Sequence, residues 1–337
     1  MRVLVLHSDI GADPPPDELD TLIAADAVRE ALTQQGHSAS LAPFPVDQDR
    51  FMRLLDLERA DVVFNLVEGV GGLGQHAPIA PRMLDEYGAV FTGATAVAMA
   101  VTNDKPLTKR KLRAAGIPTP DWSEPDAWRG LKETTYIVKS ALEDASFFLD
   151  DLSVVSGAEA VKLRAADCYL KHGGRWFAEE FIDGREFNIS ILEDRDGPQI
   201  LPIAEMVFES WPEHRPRIVG YTAKWDESSL EAIRTVRHFD VESEEPLLAA
   251  KIRRACVRSW ELFELTGYAR IDFRVTPQGE PLVLEINTNP GIAPDAGFAA
   301  AAARAGMSYD ELIARIVDGA AARSPAFAKH AIPARLG

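Results

Sequence analysis

Two apolar runs, residues 269–275 and 281–286, flank the turn Thr276-Pro277-Gln278-Gly279-Glu280. No other stretch constrains the fold as tightly, because two strands joined by a short glycine-containing loop form an antiparallel hairpin. Side chains two apart along a strand share a face. Arg270 and Asp272 therefore point the same way, as do Glu285 and Asn287 on the partner strand. Asp272, Glu285 and Asn287 offer oxygen ligands without a histidine or thiol, a set that suits a hard cation such as Mg²⁺ rather than zinc. Such an ion completes its octahedron with water and substrate phosphates. The alternative is a surface salt-bridge cluster. Ile271, Phe273, Leu282, Leu284 and Ile286 alternate with these charges on apolar strands, which favours the metal site.

The first hundred residues alternate between strand and helix patterns. Residues 3–6 and 61–67 read as buried strands, and Leu22, Ile23, Ala27, Val28, Ala31 and Leu32 recur at helical spacing until Gly36. A helix over about 78–87 precedes a short strand at 90–92. This alternation predicts an α/β unit, a parallel sheet with helices on both faces. Ligands bind such sheets at the carboxyl ends of strands, where Asp9 and the turn Glu68-Gly69-Val70-Gly71-Gly72 fall.

From residue 102 the pattern changes. Lys105, Lys109, Arg110, Lys111 and Arg113 form a basic helix, closed by Gly116-Ile117-Pro118-Thr119-Pro120. Runs rich in β-formers follow at 134–139, 176–182 and 186–192, the last two reading as strands joined by a glycine turn at Asp183-Gly184-Arg185. A long helix is expected over 247–265, two more near Ala299 and Tyr309, and a loose tail at the end. Lys105 and Lys139 read either as solvated charges or as a polyphosphate clamp.

Acidic residues outnumber basic ones by 52 to 36, a formal charge of -16, which disfavours a nucleic-acid partner. Cys168 and Cys256, both in helical patterns, are too few for a disulfide framework in 337 residues. No stretch reaches about 20 uncharged apolar residues, and the apolar start is too short for a signal peptide. The expectation is a soluble cytoplasmic protein with no membrane partner.

Taken in order, Asn103-Asp104-Lys105, Ile137-Val138-Lys139, Glu179-Glu180-Phe181-Ile182, Gly184-Arg185-Glu186-Phe187, Ala269-Arg270-Ile271-Asp272 and Leu284-Glu285-Ile286-Asn287-Thr288-Asn289-Pro290-Gly291 resemble the ATP-grasp ligases, specifically the D-alanine–D-alanine ligase group. The resemblance runs from residue 3 to about 317. It implies an N-terminal parallel α/β domain (1–102) followed by two antiparallel-sheet subdomains (103–188 and 189–325) that sandwich ATP, with a tail at 326–337. Lys105 and Lys139 would contact the phosphates. Glu179, Glu180, Phe181 and Ile182 would line the adenine pocket, Glu186 would bind the ribose hydroxyls, and Lys224 would face the nucleotide. Asp272, Glu285 and Asn287 would hold two Mg²⁺ ions, with Mn²⁺ as a substitute. Arg270 and the backbone near Gly291 would steady the oxyanion. The implied reaction joins a small-molecule carboxylate to an amine through an acylphosphate, and the resemblance suggests a homodimer. The housekeeping D-alanine–D-alanine ligase is the alternative, and a non-catalytic ATP-binding protein the second.

The departures lie at the amino-acid half. A lid rich in glycine and serine is replaced by residues 141–149, where Ser146 alone remains as a phosphate donor beside Phe147 and Phe148. The glutamate that grips the first substrate's ammonium has no match after Leu6, a histidine position holds Glu68, and the serine that binds the acceptor carboxylate falls at Ala296. Asp9 and Glu68 are then expected to favour a substrate bearing an ammonium or guanidinium group. With no side-chain donor at Ala296, D-alanine alone is expected to be a poor substrate pair.

Overall fold

The structure is a computed structural model that describes residues 1–11, 14, 16–144 and 146–324. The expected tail at 326–337 lies outside the described residues.

The chain opens with β1 (Arg2–His7), α1 (Pro16–Gln34), β2 (Ser38–Pro43), α2 (Gln48–Glu58), β3 (Val62–Leu66) and α3 (Ile79–Tyr87). The three strands run parallel in the order β2-β1-β3. Val3 and Val5 face α1, while Leu4 and Leu6 face α2 and α3, so the sheet is buried on both sides. That double burial explains the unbroken apolar run of β1. Two differences from the sequence reading stand out. Residues 90–92 form only a single bridge, Phe91 to Val63, because Gly93 and the Thr95-capped helix that follows end the pairing. The edge strand β2 and helix α2 carried too little apolar patterning to be recognised, since each buries only one narrow face.

Helices α4 (Ala96–Asn103) and α5 (Lys105–Ala114) meet at Asp104, whose carboxylate accepts from Leu107 N–H at 2.9 Å and caps α5. Next come β4 (Trp122–Ser123), β5 (Thr135–Ser140), β6 (Val154–Ser156), α6 (Gly157–His172) and β7 (Trp176–Glu180). The strands form an antiparallel sheet in the order β4-β7-β5-β6. Trp128, Val138, Val161, Cys168 and Trp176 pack between this sheet and α6.

The last part holds β8 (Arg185–Asp194), β9 (Gly197–Ile200), β10 (Ala204–Phe208), α7 (Tyr221–Trp225), α8 (Leu230–Arg234), β11 (Thr235–His238), α9 (Val241–Glu244) and α10 (Pro246–Leu262). After them come β12 (Tyr268–Val275), β13 (Pro281–Asn287), α11 (Gly297–Arg304) and α12 (Tyr309–Arg323). The sheet order is β11-β10-β8-β12-β13, all antiparallel, with β9 beside β8. Ile252, Cys256 and Trp260 of α10 back this sheet, while α12 returns to cover α1. The expected hairpin at residues 269–286 is present.

The two strands expected on either side of the Gly184 turn are present as well, but they do not pair with each other. β7 belongs to one antiparallel sheet and β8 to the other, so residues 181–184 are the crossing between them. The same local pattern, strand–glycine–strand, serves either geometry. A Cβ at Gly184 would run into the carbonyl of Val275 on β12, so Gly184→Ala should force the start of β8 away from its neighbour β12 in the same sheet. The expected loss is about 2 kcal/mol, in the range of overpacked sites, read as a lower urea midpoint. An unchanged midpoint would show that the crossing relaxes freely.

Candidate active site

The two antiparallel sheets and the carboxyl ends of β1 and β3 enclose a cavity of about 890 Å³. Every residue singled out from the sequence, from Asp9 to Gly291, lines it.

The hairpin supplies its floor. Register places Arg270 opposite Asn287 and Asp272 opposite Glu285, so all four share the cavity face. The Arg270 guanidinium donates Nε and Nη2 to the two oxygens of Asp272, each at 2.8 Å. Glu285 lies 3.7 Å from the Lys105 ammonium, which also donates to Asp144 at 2.7 Å and to the Glu143 carbonyl at 2.8 Å. Burial would raise the Glu285 carboxyl, but the fields of Lys105, Lys139, Lys224 and Arg270 prevail and lower it to about 2. Burial would likewise depress the Lys105 ammonium, and Asp144 and Glu285 together hold it above the ordinary lysine value. Among the described residues no group of three or more His, Cys, Asp or Glu side chains could hold a metal. Two carboxylates and an amide among four cations instead fit a hard divalent ion that shares its shell with polyphosphate oxygens.

Behind this floor is a buried charge chain that the sequence reading missed. Lys139 at the end of β5 reaches Glu179 on β7 at 2.8 Å, and the other oxygen of Glu179 pairs with Lys109 of α5. Lys109 is completely buried and also donates to Thr119 at 2.9 Å. Burial lowers its ammonium. Burial would raise the Glu179 carboxyl, but the two lysines keep it below the usual range. Lys109 follows Lys105 by one helical turn, a spacing that puts both on the face α5 turns inward. That spacing was the available signal.

The crossing between the sheets forms one wall. Glu180 N–H donates to Asp121 and Phe181 N–H to Thr135, leaving the Ile182 amide without a backbone acceptor among the described residues. Glu186 pairs with Arg274 at 2.8 Å, and burial raises its carboxyl. Lys224 projects from α7, its ammonium lowered by burial and by Arg270.

The lid is clipped at several points. The Glu143 carboxylate accepts from Gly74 N–H at 2.6 Å, Ser146 donates its hydroxyl to the Val219 carbonyl at 2.8 Å, and Tyr221 N–H donates to Leu149 at 3.0 Å. That last bond needs Gly220, where a Cβ would stand 2.7 Å from the Leu149 carbonyl. Phe147 and Phe148 both meet the His172 ring of α6.

The N-terminal unit makes the opposite wall acidic. Asp9 and Glu68 are joined there by Glu18 and Asp20 of α1. Burial and the nearby Asp295 raise the Asp20 carboxyl, whose oxygen lies 3.6 Å from where a Cβ of Gly291 would be. Neither Glu18 nor Asp20 was singled out from the sequence, because by their spacing they read as ordinary exposed charges at the start of α1. Arg237 of β11 also enters the cavity, beside Ala296 and Gly297.

The family model described as "D-ala D-ala ligase C-terminus" matches residues 129–318. An uncharacterized protein, y4sG, of Sinorhizobium fredii is 31% identical over 90% of this chain and 89% of its own length. D-alanine–D-alanine ligases of Gloeobacter violaceus and Aquifex aeolicus are 31% and 29% identical, each over 94% of this chain and at least 99% of their own. Among solved structures, the Bacillus anthracis D-alanine–D-alanine ligase complexed with ATP superposes with a TM-score of 0.73 at 18% identity, covering 95% of this chain and 97% of that one. No helix among the described residues is long and apolar enough to cross a membrane. With the ATP-grasp fold, the family match over more than half its length and relatives that align from end to end, the chain belongs to the D-alanine–D-alanine ligase family, the ATP-dependent ligases that join a carboxylate to an amine.

Proposed function

We propose that the cavity activates the carboxylate of an amino-acid-type substrate with ATP and passes its acyl group to an amine. The observation that carries this reading is the division of one cavity between a cationic floor, Lys105, Lys139, Lys224 and Arg270, and an acidic wall, Asp9, Glu18, Asp20 and Glu68. A polyphosphate suits the first and an ammonium group the second.

The adenine lies against Phe181 and Ile182, with the free Ile182 amide reading the base edge and Glu180 lining the pocket. Glu186 takes the ribose hydroxyls. Glu179 holds Lys139 towards the phosphates. Asp272, Glu285 and Asn287 hold two Mg²⁺ ions, replaceable by Mn²⁺, which neutralise charge on the transferred phosphoryl group when bound. The substrate carboxylate oxygen attacks the γ-phosphorus, a P–O bond forms, the β,γ-bridging bond breaks and ADP leaves. The amine then attacks the acyl carbon and loses a proton as phosphate departs. Arg270 and the backbone near Gly291 face the oxyanion of that step. Ser146 becomes the lid's phosphate donor once nucleotide entry releases it from Val219.

The test is ADP release with Mg·ATP over a panel of D- and L-amino acids, small peptides and amines, with hydroxylamine added to trap the acylphosphate as a hydroxamate. Amine-dependent ADP release and hydroxamate formation are expected. Nucleotide binding without turnover across the panel would overturn the reading. The ligases of Aquifex aeolicus and Gloeobacter violaceus favour one specific case, D-alanine at both positions; D-alanyl-D-alanine as the best product would select it. The homodimer suggested by the resemblance belongs to the same reading and is checked by sedimentation.

A further inference from the structure

The acceptor position lacks a side-chain donor at Ala296, yet a cation stands beside it. Arg237 reaches this point from β11, paired in register with Met206 of β10, and lines the same cavity as Arg270, Asp295, Ala296 and Gly297. Its guanidinium fills the space a side chain at residue 297 would need: a Cβ there would stand 3.2 Å from its terminal nitrogen. The glycine thus makes room for the arginine. Among the described residues no carboxylate pairs with Arg237. Asp295 acts on it only through its field, and Arg270 opposes it with a like charge. Arg270 is already held in a two-pronged pair with Asp272, so Arg237 is the guanidinium left for a ligand. The adjoining first turn of α11 has no side-chain cap, so its N–H groups are also directed at whatever lies there.

We propose that Arg237 binds the carboxylate of the amine-bearing substrate, so that the acceptor is an amino acid or peptide with a free carboxylate rather than a simple amine. The inference rests on the ligase reading above and narrows its acceptor. A guanidinium presents two parallel N–H donors that match the two oxygens of a carboxylate. An anion placed there also relieves the repulsion between Arg237 and Arg270. The sequence-based reason to expect a poorly held acceptor, the loss of a hydroxyl at Ala296, is answered from a different strand.

The experiment measures ADP release with the panel's best amino-acid donor held fixed. The acceptors are glycine, D-alanine and L-alanine against glycinamide, D-alaninamide, L-alaninamide and ethylamine, with coupled products identified by mass. In the wild type the carboxylates should exceed their carboxamides by at least about 10-fold in kcat/KM. Arg237→Ala should raise the acceptor KM by about 10- to 100-fold, as expected for a lost charge-assisted pair. It should leave the KM for ATP and the rates with carboxamides within about 2-fold, and Arg237→Lys should recover part of the loss. A merely structural arginine would instead depress all acceptors alike. Equal use of acids and amides by the wild type, or a loss in Arg237→Ala that falls on ATP, would overturn the inference while leaving the ligase reading intact. No turnover with any amine would bring down the ligase reading and this inference with it.

Discussion

Glu285→Gln is expected to lower the rate of ATP turnover by about two orders of magnitude or more, the scale on which single groups that stabilise developing charge act, without unfolding the protein. Glu285 sits on β13 directly opposite Asp272, facing the cavity and not the hydrophobic layer beneath. Glutamine keeps its volume, so no void opens. What disappears is the anion that Lys105, Lys139, Lys224 and Arg270 share. A metal on this face then loses one of its two carboxylates, and Lys105, Lys139 and Arg270 are left with Asp144, Glu179 and Asp272. Because the Glu285 carboxyl is lowered to about 2, its ionised form contributes stability above the ordinary glutamate range, and that contribution is lost only as pH falls through about 2. An acid limb of the rate profile near pH 5 or 6 would therefore belong to another group. The check is kcat from coupled ADP release at saturating Mg²⁺, beside a melting curve. A wild-type rate from Glu285→Gln at equal Mg²⁺ would remove the hairpin from the catalytic site.

Lys109→Met should be the most destabilising of the charge changes near the site, costing about 3 kcal/mol. Both Lys109 and Glu179 are buried, and removal of the lysine strands one oxygen of the glutamate away from water. Lys139, still 2.8 Å from the other oxygen, keeps the loss at the lower end for a broken buried pair. The same change draws Lys139 more tightly to Glu179 and away from the phosphates, so the KM for ATP should rise as well. The double variant Lys109→Met/Glu179→Gln should be less destabilised than the sum of its parts, since it leaves no buried anion to satisfy. Urea unfolding of the four proteins gives the cycle. A Lys109→Met protein within about 0.5 kcal/mol of wild type, the range of ordinary surface changes, would mean that the pair contributes nothing.

Much of the floor was legible because its pattern is local. Period-two alternation on the strands that became β12 and β13 sets which residues share a face, and the short loop sets which face which. Arg270, Asp272, Glu285 and Asn287 could be grouped from neighbouring residues alone. The helical stripe of α1 and the apolar runs of β1 and β3 were equally local, and the motif order carried the family. Lys105 and Lys139 were visible as lysines at element ends, though not the carboxylates that hold them.

The features left open or missed share a different property. Strand–glycine–strand at residues 181–187 describes a hairpin and a crossing between sheets equally well; only the partners of β7 and β8, drawn from other parts of the chain, decide between them. Lys109 looks like one charge of a solvated basic helix until Glu179 arrives from β7 and Thr119 from the connector. Glu18, Asp20 and Arg237 are ordinary surface charges by sequence. They become cavity residues because α1, β11 and the turn into α11 converge on one volume. The amino-acid sequence by itself determined the fold class, the family and the charged face of the hairpin, because side-chain periodicity and short motifs are properties of neighbouring residues. The tertiary structure alone decided which cations are paired and which are left for a ligand, because burial and electrostatic pairing depend on residues far apart in the chain that only folding brings together.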